Sequence, residues 1–248
     1  MIKKRENLFI CITLLQLKIV KKIIEKKGLS KENCYCFYYS NKSSLSDKYY
    51  LKLLKQKCSN IIQLRNIYKF PKYFFLLKNI FKQYQFEDVY VSNIDGIYVQ
   101  YILSIVNPKN IFTFDDGAGN LFKNTKYNLG HDFSFFKRII YNIFGNKYSS
   151  KKIALQRKNH YTIFKTYKNY SSKKLNYIEL FSLKKKKHLN NLKFECNVIL
   201  GTVEKEYFDD EHSEKNFKDN FMNFLQKLNG NNYFISHPRD NSKFNKFE

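Results

Sequence analysis

Ile111-Phe112-Thr113-Phe114 runs directly into Asp115-Asp116-Gly117-Ala118-Gly119-Asn120. The alternation of aromatic and β-branched residues predicts a short buried strand. The glycines behind the two carboxylates let the backbone turn sharply. Ligands of open α/β sheets collect just beyond the carboxyl ends of strands, so this acid pair is either a solvated turn or part of a site. A second station lies near the end of the chain, where Tyr233-Phe234-Ile235-Ser236 opens into His237-Pro238-Arg239. A third follows the strand expected over Asn197–Leu200: the turn Gly201-Thr202, then Glu204 with Glu206. A carboxylate and a histidine facing one another across a cleft suit general base and general acid roles. Arg239 offers a planar fork for phosphate, and His237 can protonate or hydrogen-bond a phosphate oxygen. Each also has a plain alternative. Glu204 would open a helix, where the dipole favours an acid, and His237 before a proline can be a turn residue.

The elements that would position these groups follow a steady rhythm. Leu8–Thr13 has strand length, and from Leu15 the period changes: Leu15, Ile19, Val20, Ile23 and Ile24 share one helical face until Gly28 stops the helix. Further strands are expected at Asn33–Tyr39, Asn60–Leu64, Val89–Val91 and Ile111–Phe114. Helices are expected around Tyr50–Lys55, from Pro71 through Phe81, and around Ile97–Ile105. This β-α-β-α alternation at about 25 residues per unit argues for a parallel sheet with helices on both faces. After Asn120 the rhythm loosens. His131–Phe144 has a helical pattern, and His160-Tyr161-Thr162-Ile163-Phe164-Lys165 is read as the start of another helix. The run Lys184–Lys187 is a solvated connector and marks a domain boundary, giving domains 1–187 and 188–248. Beyond it come the strand at Asn197–Leu200, a helix with Phe217, Phe221, Phe224 and Leu228, and the strand at Tyr233–Ser236. A lone β-α-β unit leaves a sheet edge uncovered, so the second domain is expected to be cut short.

Composition narrows the class. A hydrophobic share of 43% in 248 residues supports a packed core. The net charge of +24 suggests an anionic partner. AT-rich codon usage accounts for the larger part of it, because Lys, Asn, Ile, Tyr and Phe abound while Gly (8), Pro (3) and Trp (0) are scarce. The aromatic residues recur at core periodicities and do not line a basic stripe, which argues against nucleic acid. Five cysteines at unrelated spacings suit buried free thiols in a reducing compartment, with Cys34 and Cys36 expected on opposite strand faces. No Cys/His cluster has zinc spacing, so no metal is expected. The apolar run Leu8–Leu17 is too short to span a bilayer and has no small-residue cleavage site, which points to a cytoplasmic protein. A phosphate-binding Gly-Lys-Ser/Thr loop, GxGxxG after the first strand, G-x-S-x-G and H-E-x-x-H are all missing.

Four blocks, in order, resemble bacterial glycosyltransferase family 52, the lipooligosaccharide α-2,3-sialyltransferases. They are the first strand and turn with Thr13-Leu14-Leu15-Gln16, the block Thr113-Phe114-Asp115-Asp116-Gly117-Ala118-Gly119-Asn120-Leu121, the block His160–Lys165, and Ile199–Glu206 with Ser236-His237-Pro238-Arg239. The resemblance implies a GT-B fold, two Rossmann-like domains with the active site between them. It implies inverting, metal-independent transfer of sialic acid from CMP-sialic acid to a terminal galactose, with no cofactor. Glu204 matches the general base, where the family usually has aspartate. His237 matches the general acid towards the departing CMP phosphate. Gly201, Thr202, His237, Pro238 and Arg239 would contact the nucleotide, and Asp115 and Asp116 would shape the acceptor side or hold their loop. Family members continue past His-Pro-Arg, so an incomplete nucleotide pocket is expected. The implied partners are a nucleotide sugar, a lipooligosaccharide acceptor and a second copy of the chain, and the charge of +24 adds an anionic inner-membrane surface as a hypothesis. The rival readings are transfer of another sugar such as glucose, an inactive fragment, and a basic surface-binding protein.

Overall fold

The sheet is the frame for everything at the site. Strands β1 (Lys3–Cys11), β2 (Cys34–Ser40), β3 (Asn60–Arg65), β4 (Tyr84–Val91), β5 (Asn110–Phe114), β6 (Arg157–Thr162) and β7 (Leu175–Tyr177) are all parallel, in the order β3-β2-β1-β4-β5-β6-β7. The computed structural model describes residues 3–40, 48, 51–52, 54–65, 71–121, 133–165, 168–170, 174–180, 196–200, 220, 223, 227 and 231–235. The chain divides into two compact units, 1–182 and 183–248. In the second, β8 (Cys196–Leu200) and β9 (Asn231–Ile235) form a parallel pair.

Period-two burial builds two cores from one sheet. Leu8, Ile10, Tyr35, Phe37, Val89 and Val91 face helices α2 (Lys72–Phe81) and α3 (Ile97–Val106), through Phe74, Leu77, Phe81, Val99 and Ile102. Phe9, Cys11, Cys36, Tyr38, Tyr90 and Phe112 face the other way, against α1 (Leu14–Lys27) through Leu17, Val20, Ile23 and Ile24. Across β1, β4 and β5 the rings of Phe9, Tyr90 and Phe112 stack at 4.5 and 4.8 Å. The alternating faces explain why strand and helix periods both register so clearly in the chain.

Local signals set the helix ends. Thr13 caps α1 and forms a capping box with Gln16, and Gly28 closes the helix at φ 62°, a left-handed conformation that costs glycine little. Pro71 stands at the N-cap of α2. The described residues of the Tyr50–Lys55 segment, 51–52 and 54–55, are helical. Helix α4 (Phe135–Ile143) lies within the helical pattern expected over His131–Phe144. The helix expected over Phe217–Leu228 lies largely outside the described residues.

Two expectations are corrected. His160–Thr162 belongs to strand β6, preceded by the short helix α5 (Ser150–Gln156), and does not begin a helix. β6 completes the ladder beside β5, with Thr113 opposite His160 and Phe114 opposite Tyr161; the short run lacks the length to show a period, and sheet pairing decides it. Cys34 and Cys36 share a face with Cys11 and Cys58, because residues two apart on a strand point the same way. All four are buried free thiols. Burial, reinforced by the charges of Glu6 and Glu32, pushes Cys34 up to about 11, and burial also raises Cys58. Cys34 and Cys58 stay protonated, and all four side chains pack as small apolar groups. Among the described residues no helix is long and apolar enough to cross a membrane.

Leu103 on α3 is wholly buried, so Leu103→Ala is expected to cost about 2–5 kcal/mol of unfolding free energy through lost burial and the cavity left behind. Urea denaturation checks this as a lower midpoint with an unchanged slope.

Candidate functional site

The order β3-β2-β1-β4-β5 reverses direction between β1 and β4: β2 and β3 add on one side of β1, and β4 to β7 on the other. The turns leaving adjacent strands at such a point diverge to opposite faces and open a crevice at the carboxyl ends of the strands. The turn after β1 carries Thr13, and the first turn of α1 behind it carries Gln16. The turn after β4 carries Asn93, Asp95 and Gly96, whose N–H donates to Asn93 Oδ1 at 2.8 Å. The turn after β5 carries Asp115 and Asp116.

The two adjacent aspartates have opposite surroundings. Asp115 is completely buried. Its Oδ1 accepts from Asn120 Nδ2 at 2.6 Å and from His160 Nε2 at 2.8 Å. Its Oδ2 accepts from Thr162 Oγ1 at 3.0 Å and from the Ile163 backbone N–H at 2.7 Å. Four donors fill the lone-pair sites of a carboxylate. The carboxylate that remains is a structural anion with no acceptor capacity to spare. It ties β6 and the turns after β5 and β6 into one piece.

His160 is the second buried member of this network, with Nδ1 2.9 Å from Thr113 Oγ1. The geometry selects the neutral tautomer with its proton on Nε2, given to Asp115, while Nδ1 accepts from the threonine hydroxyl. Burial holds the imidazole below its ordinary value, against the upward pull of Asp115 and with a smaller downward push from Arg157. Thr162 extends the network: its hydroxyl accepts from the Phe164 N–H at 3.1 Å and from Asn169 Nδ2 at 3.2 Å.

Asp116 is exposed, and Gln16 Nε2 donates to its Oδ1. Gln16 itself is wholly buried, and its Oε1 accepts from the backbone N–H groups of Ile12 and Thr13. Although Asp116 is exposed as a residue, its carboxyl lies against protein. That desolvation raises its pKa, the Gln16 hydrogen bond lowers it, and the Asp95 charge raises it, with a net upward shift. A carboxylate of raised proton affinity on the rim of the crevice can accept a hydrogen bond or a proton from a hydroxyl.

The structure therefore places Asp115 and Asp116 side by side but separates them in kind. Glu204, His237, Pro238, Arg239, Gly201 and Thr202 lie outside the described residues, although the strands that precede them, β8 and β9, are present and paired. Gln16, Asp95 and His160 were not singled out as site residues from the sequence. The Thr13-x-x-Gln16 spacing, a capping-box pattern, and the polar run Ser92-Asn93 with Asp95 behind a strand were the available signals.

A parallel, doubly wound sheet with carboxylates on the turns at and beside its switch point defines a Rossmann-like α/β protein. The chain belongs to glycosyltransferase family 52, whose family model matches residues 31–247. It is similar to the CMP-N-acetylneuraminate:beta-galactoside alpha-2,3-sialyltransferase of Pasteurella multocida, with 32% identity over 66% of this chain and 53% of the relative. It is also similar to the N-acetyllactosaminide alpha-2,3-sialyltransferases of Haemophilus influenzae (31% identity over 66% of this chain and 54% of the relative) and Neisseria meningitidis (27% over 85% and 60%). The chain thus spans 53% to 60% of the length of these relatives.

Two outcomes test this geometry. Asp115→Asn places an N–H₂ group among donors, and it is expected to cost about 3 kcal/mol of stability, the scale for breaking a buried paired charge, measured by urea denaturation. For His160 the sign follows from its lowered value: the unfolded chain binds a proton near pH 6.5 while the folded chain still resists it. Stability should be full above that pH and fall as pH is lowered through it. Nitrogen-15 spectra of the imidazole should still show the neutral Nε2–H tautomer at pH 6.

Proposed function

We propose that this chain is the catalytic polypeptide, or part of it, of an inverting sialyltransferase that moves sialic acid from CMP-sialic acid to a terminal galactose of lipooligosaccharide. The observation that carries the reading is the family match across residues 31–247, which takes in both the Asp115-Asp116 turn and the His-Pro-Arg block. The names of the similar proteins support the donor, the galactoside acceptor and the α-2,3 linkage. In the proposed GT-B arrangement the seven-stranded unit takes the acceptor side. The β8–β9 pair begins the second Rossmann-like domain, which takes the nucleotide.

The proposed reaction is a single displacement. Glu204 accepts the proton of the galactose hydroxyl as its oxygen bonds to the anomeric carbon of sialic acid. The bond from that carbon to the CMP phosphate oxygen breaks, and His237 donates a proton to the departing phosphate. Arg239 holds that phosphate as a fork, with Gly201, Thr202 and Pro238 lining the nucleotide. A histidine and an arginine at the leaving group supply the positive charge that a divalent cation would bring, so we propose no metal and no cofactor. Asp115 holds the acceptor-side turn in shape, and Asp116 faces the acceptor.

A lipid-linked acceptor calls for a protein that works at a surface. On α4, Phe136, Ile139, Ile140 and Ile143 recur at helical spacing and are exposed, Phe136 by 77% and Ile143 by 78%. Lys137 and Arg138 on the same helix are exposed as well, and the chain carries +24. An apolar stripe beside basic groups suits an anionic membrane face, and we propose peripheral binding there from the cytoplasmic side. Vesicles containing anionic phospholipid should bind the chain at low salt and release it at high salt, with Ile143→Asp binding less. A concentration-dependent dimer lost in Ile143→Asp, with no vesicle binding, would assign the stripe to a second copy instead.

Donor class is tested by nucleotide titration. CMP is expected to bind saturably and UDP not, and His237→Ala should weaken CMP by about tenfold, roughly 1.4 kcal/mol. Preference for UDP would overturn the sialyl donor. Absence of CMP binding by the folded chain would mean that its nucleotide pocket is incomplete.

A further inference from the structure

We propose that Gln16 is a positioning residue that holds Asp116 towards the hydroxyl groups of the acceptor sugar at the switch point of the sheet. The identity of the sugar rests on the transferase reading above, whereas the placement of the carboxylate rests on geometry alone. The side chain of Gln16 performs two separable tasks. Its oxygen accepts the Ile12 and Thr13 backbone N–H groups and so belongs to the start of α1. Its Nε2–H₂ group is not needed for that cap, and it reaches a carboxylate 100 residues further along the chain. A buried amide, fixed by two backbone donors, therefore sets the rotamer of an exposed acid.

The arrangement leaves one oxygen of Asp116 for a ligand. Oδ1 is taken by Gln16, and among the described residues no donor bonds Oδ2. Asp115 cannot share the task, since its four acceptor sites are filled. The titratable groups facing Asp116 are Asp95, on the turn after β4, and Tyr98, on α3. The Tyr98 hydroxyl is buried with no hydrogen-bond partner among the described residues. Asp95 repels a second negative charge on Asp116, and Gln16 offsets that repulsion by donating to it. The hydroxyl-rich edge of a hexose supplies a donor for the Oδ2 that Gln16 leaves open. Removing the amide should leave the fold intact while the carboxylate loses both its direction and part of its anionic character.

Gln16→Glu separates the two tasks, because Thr13-x-x-Glu is also a capping box. The glutamate keeps an oxygen for the backbone N–H groups and sets a second charge against Asp116. We expect a melting temperature that is lowered at neutral pH and recovers towards wild type as the pH falls and the acid pair takes up a proton, and an Asp116 titration, followed by carbon-13 carboxyl NMR, that moves up by about one pH unit. Affinity for N-acetyllactosamine should fall about tenfold, with the pH profile of sugar binding moving by the same amount as the carboxyl. Asp116→Asn, which retains an acceptor for the Gln16 amide, should lose sugar binding to a similar degree without loss of stability. Should Gln16→Glu fail to fold, the double change with Asp116→Asn restores an amide-to-carboxylate bond of reversed polarity; recovery of the fold without sugar binding then supports the proposal. Unchanged Asp116 titration and unchanged sugar affinity in Gln16→Glu would reduce Gln16 to a cap and overturn it. A wild-type chain that binds CMP but no sugar, with the Asp116 titration still shifted in Gln16→Glu, upholds the positioning and overturns the acceptor role.

Discussion

The buried carboxylate of Asp115 is the constraint on which the site depends. An anion with no solvent contact is tolerated only when its charge is met by donors from several directions. Here those donors come from Asn120, His160, Thr162 and the Ile163 backbone, so the turn after β5, strand β6 and the turn after β6 must all be in place together. The neutral imidazole of His160 takes part as both donor and acceptor, which fixes Thr113 as well. The network couples β5 to β6 through side chains where the ladder alone would leave freedom in the turns.

That coupling explains why two adjacent aspartates behave differently. Alternation along the backbone sends one carboxylate inward and the next outward. The inward one is spent on structure, and the outward one inherits a rigid base. Gln16 extends this stiffness across the switch point, because its amide joins the turn after β1 to the turn after β5. A surface acid anchored by a buried amide keeps a fixed direction that a freely rotating side chain would lose. Asp95 on the neighbouring turn raises the proton affinity of the set without adding a contact.

Family membership rests on a match over residues 31–247, and the doubly wound sheet of the first unit is a Rossmann-like frame of the kind a glycosyltransferase uses. The carboxyl ends of β5 and β6 hold the Asp115 network, and Cys11, Cys34, Cys36 and Cys58 sit buried on one face of the sheet. The exposed stripe on α4 is a separate surface from the network around Asp115, and it carries apolar groups in place of carboxylates.

Much of this was legible in the chain. Helix α1 and its glycine stop, the proline start of α2, and the strand that opens into Asp115-Asp116 all follow from periodicity and local sterics, which act over a few residues and leave their mark on neighbouring positions. The resemblance of four blocks to family 52 was likewise visible in residue types alone. His160 was not legible: it was read as opening a helix, and only pairing of β6 with β5 makes it a buried strand residue. The division of labour between Asp115 and Asp116 was also beyond a local reading, since three of the four donors to Asp115 lie 45 to 48 residues away and the Gln16 that holds Asp116 lies 100 away. Local order is written in sequence because its causes are short-ranged. Which carboxylate is buried in the fold and which stays at the surface depends on contacts that exist only once the sheet has closed.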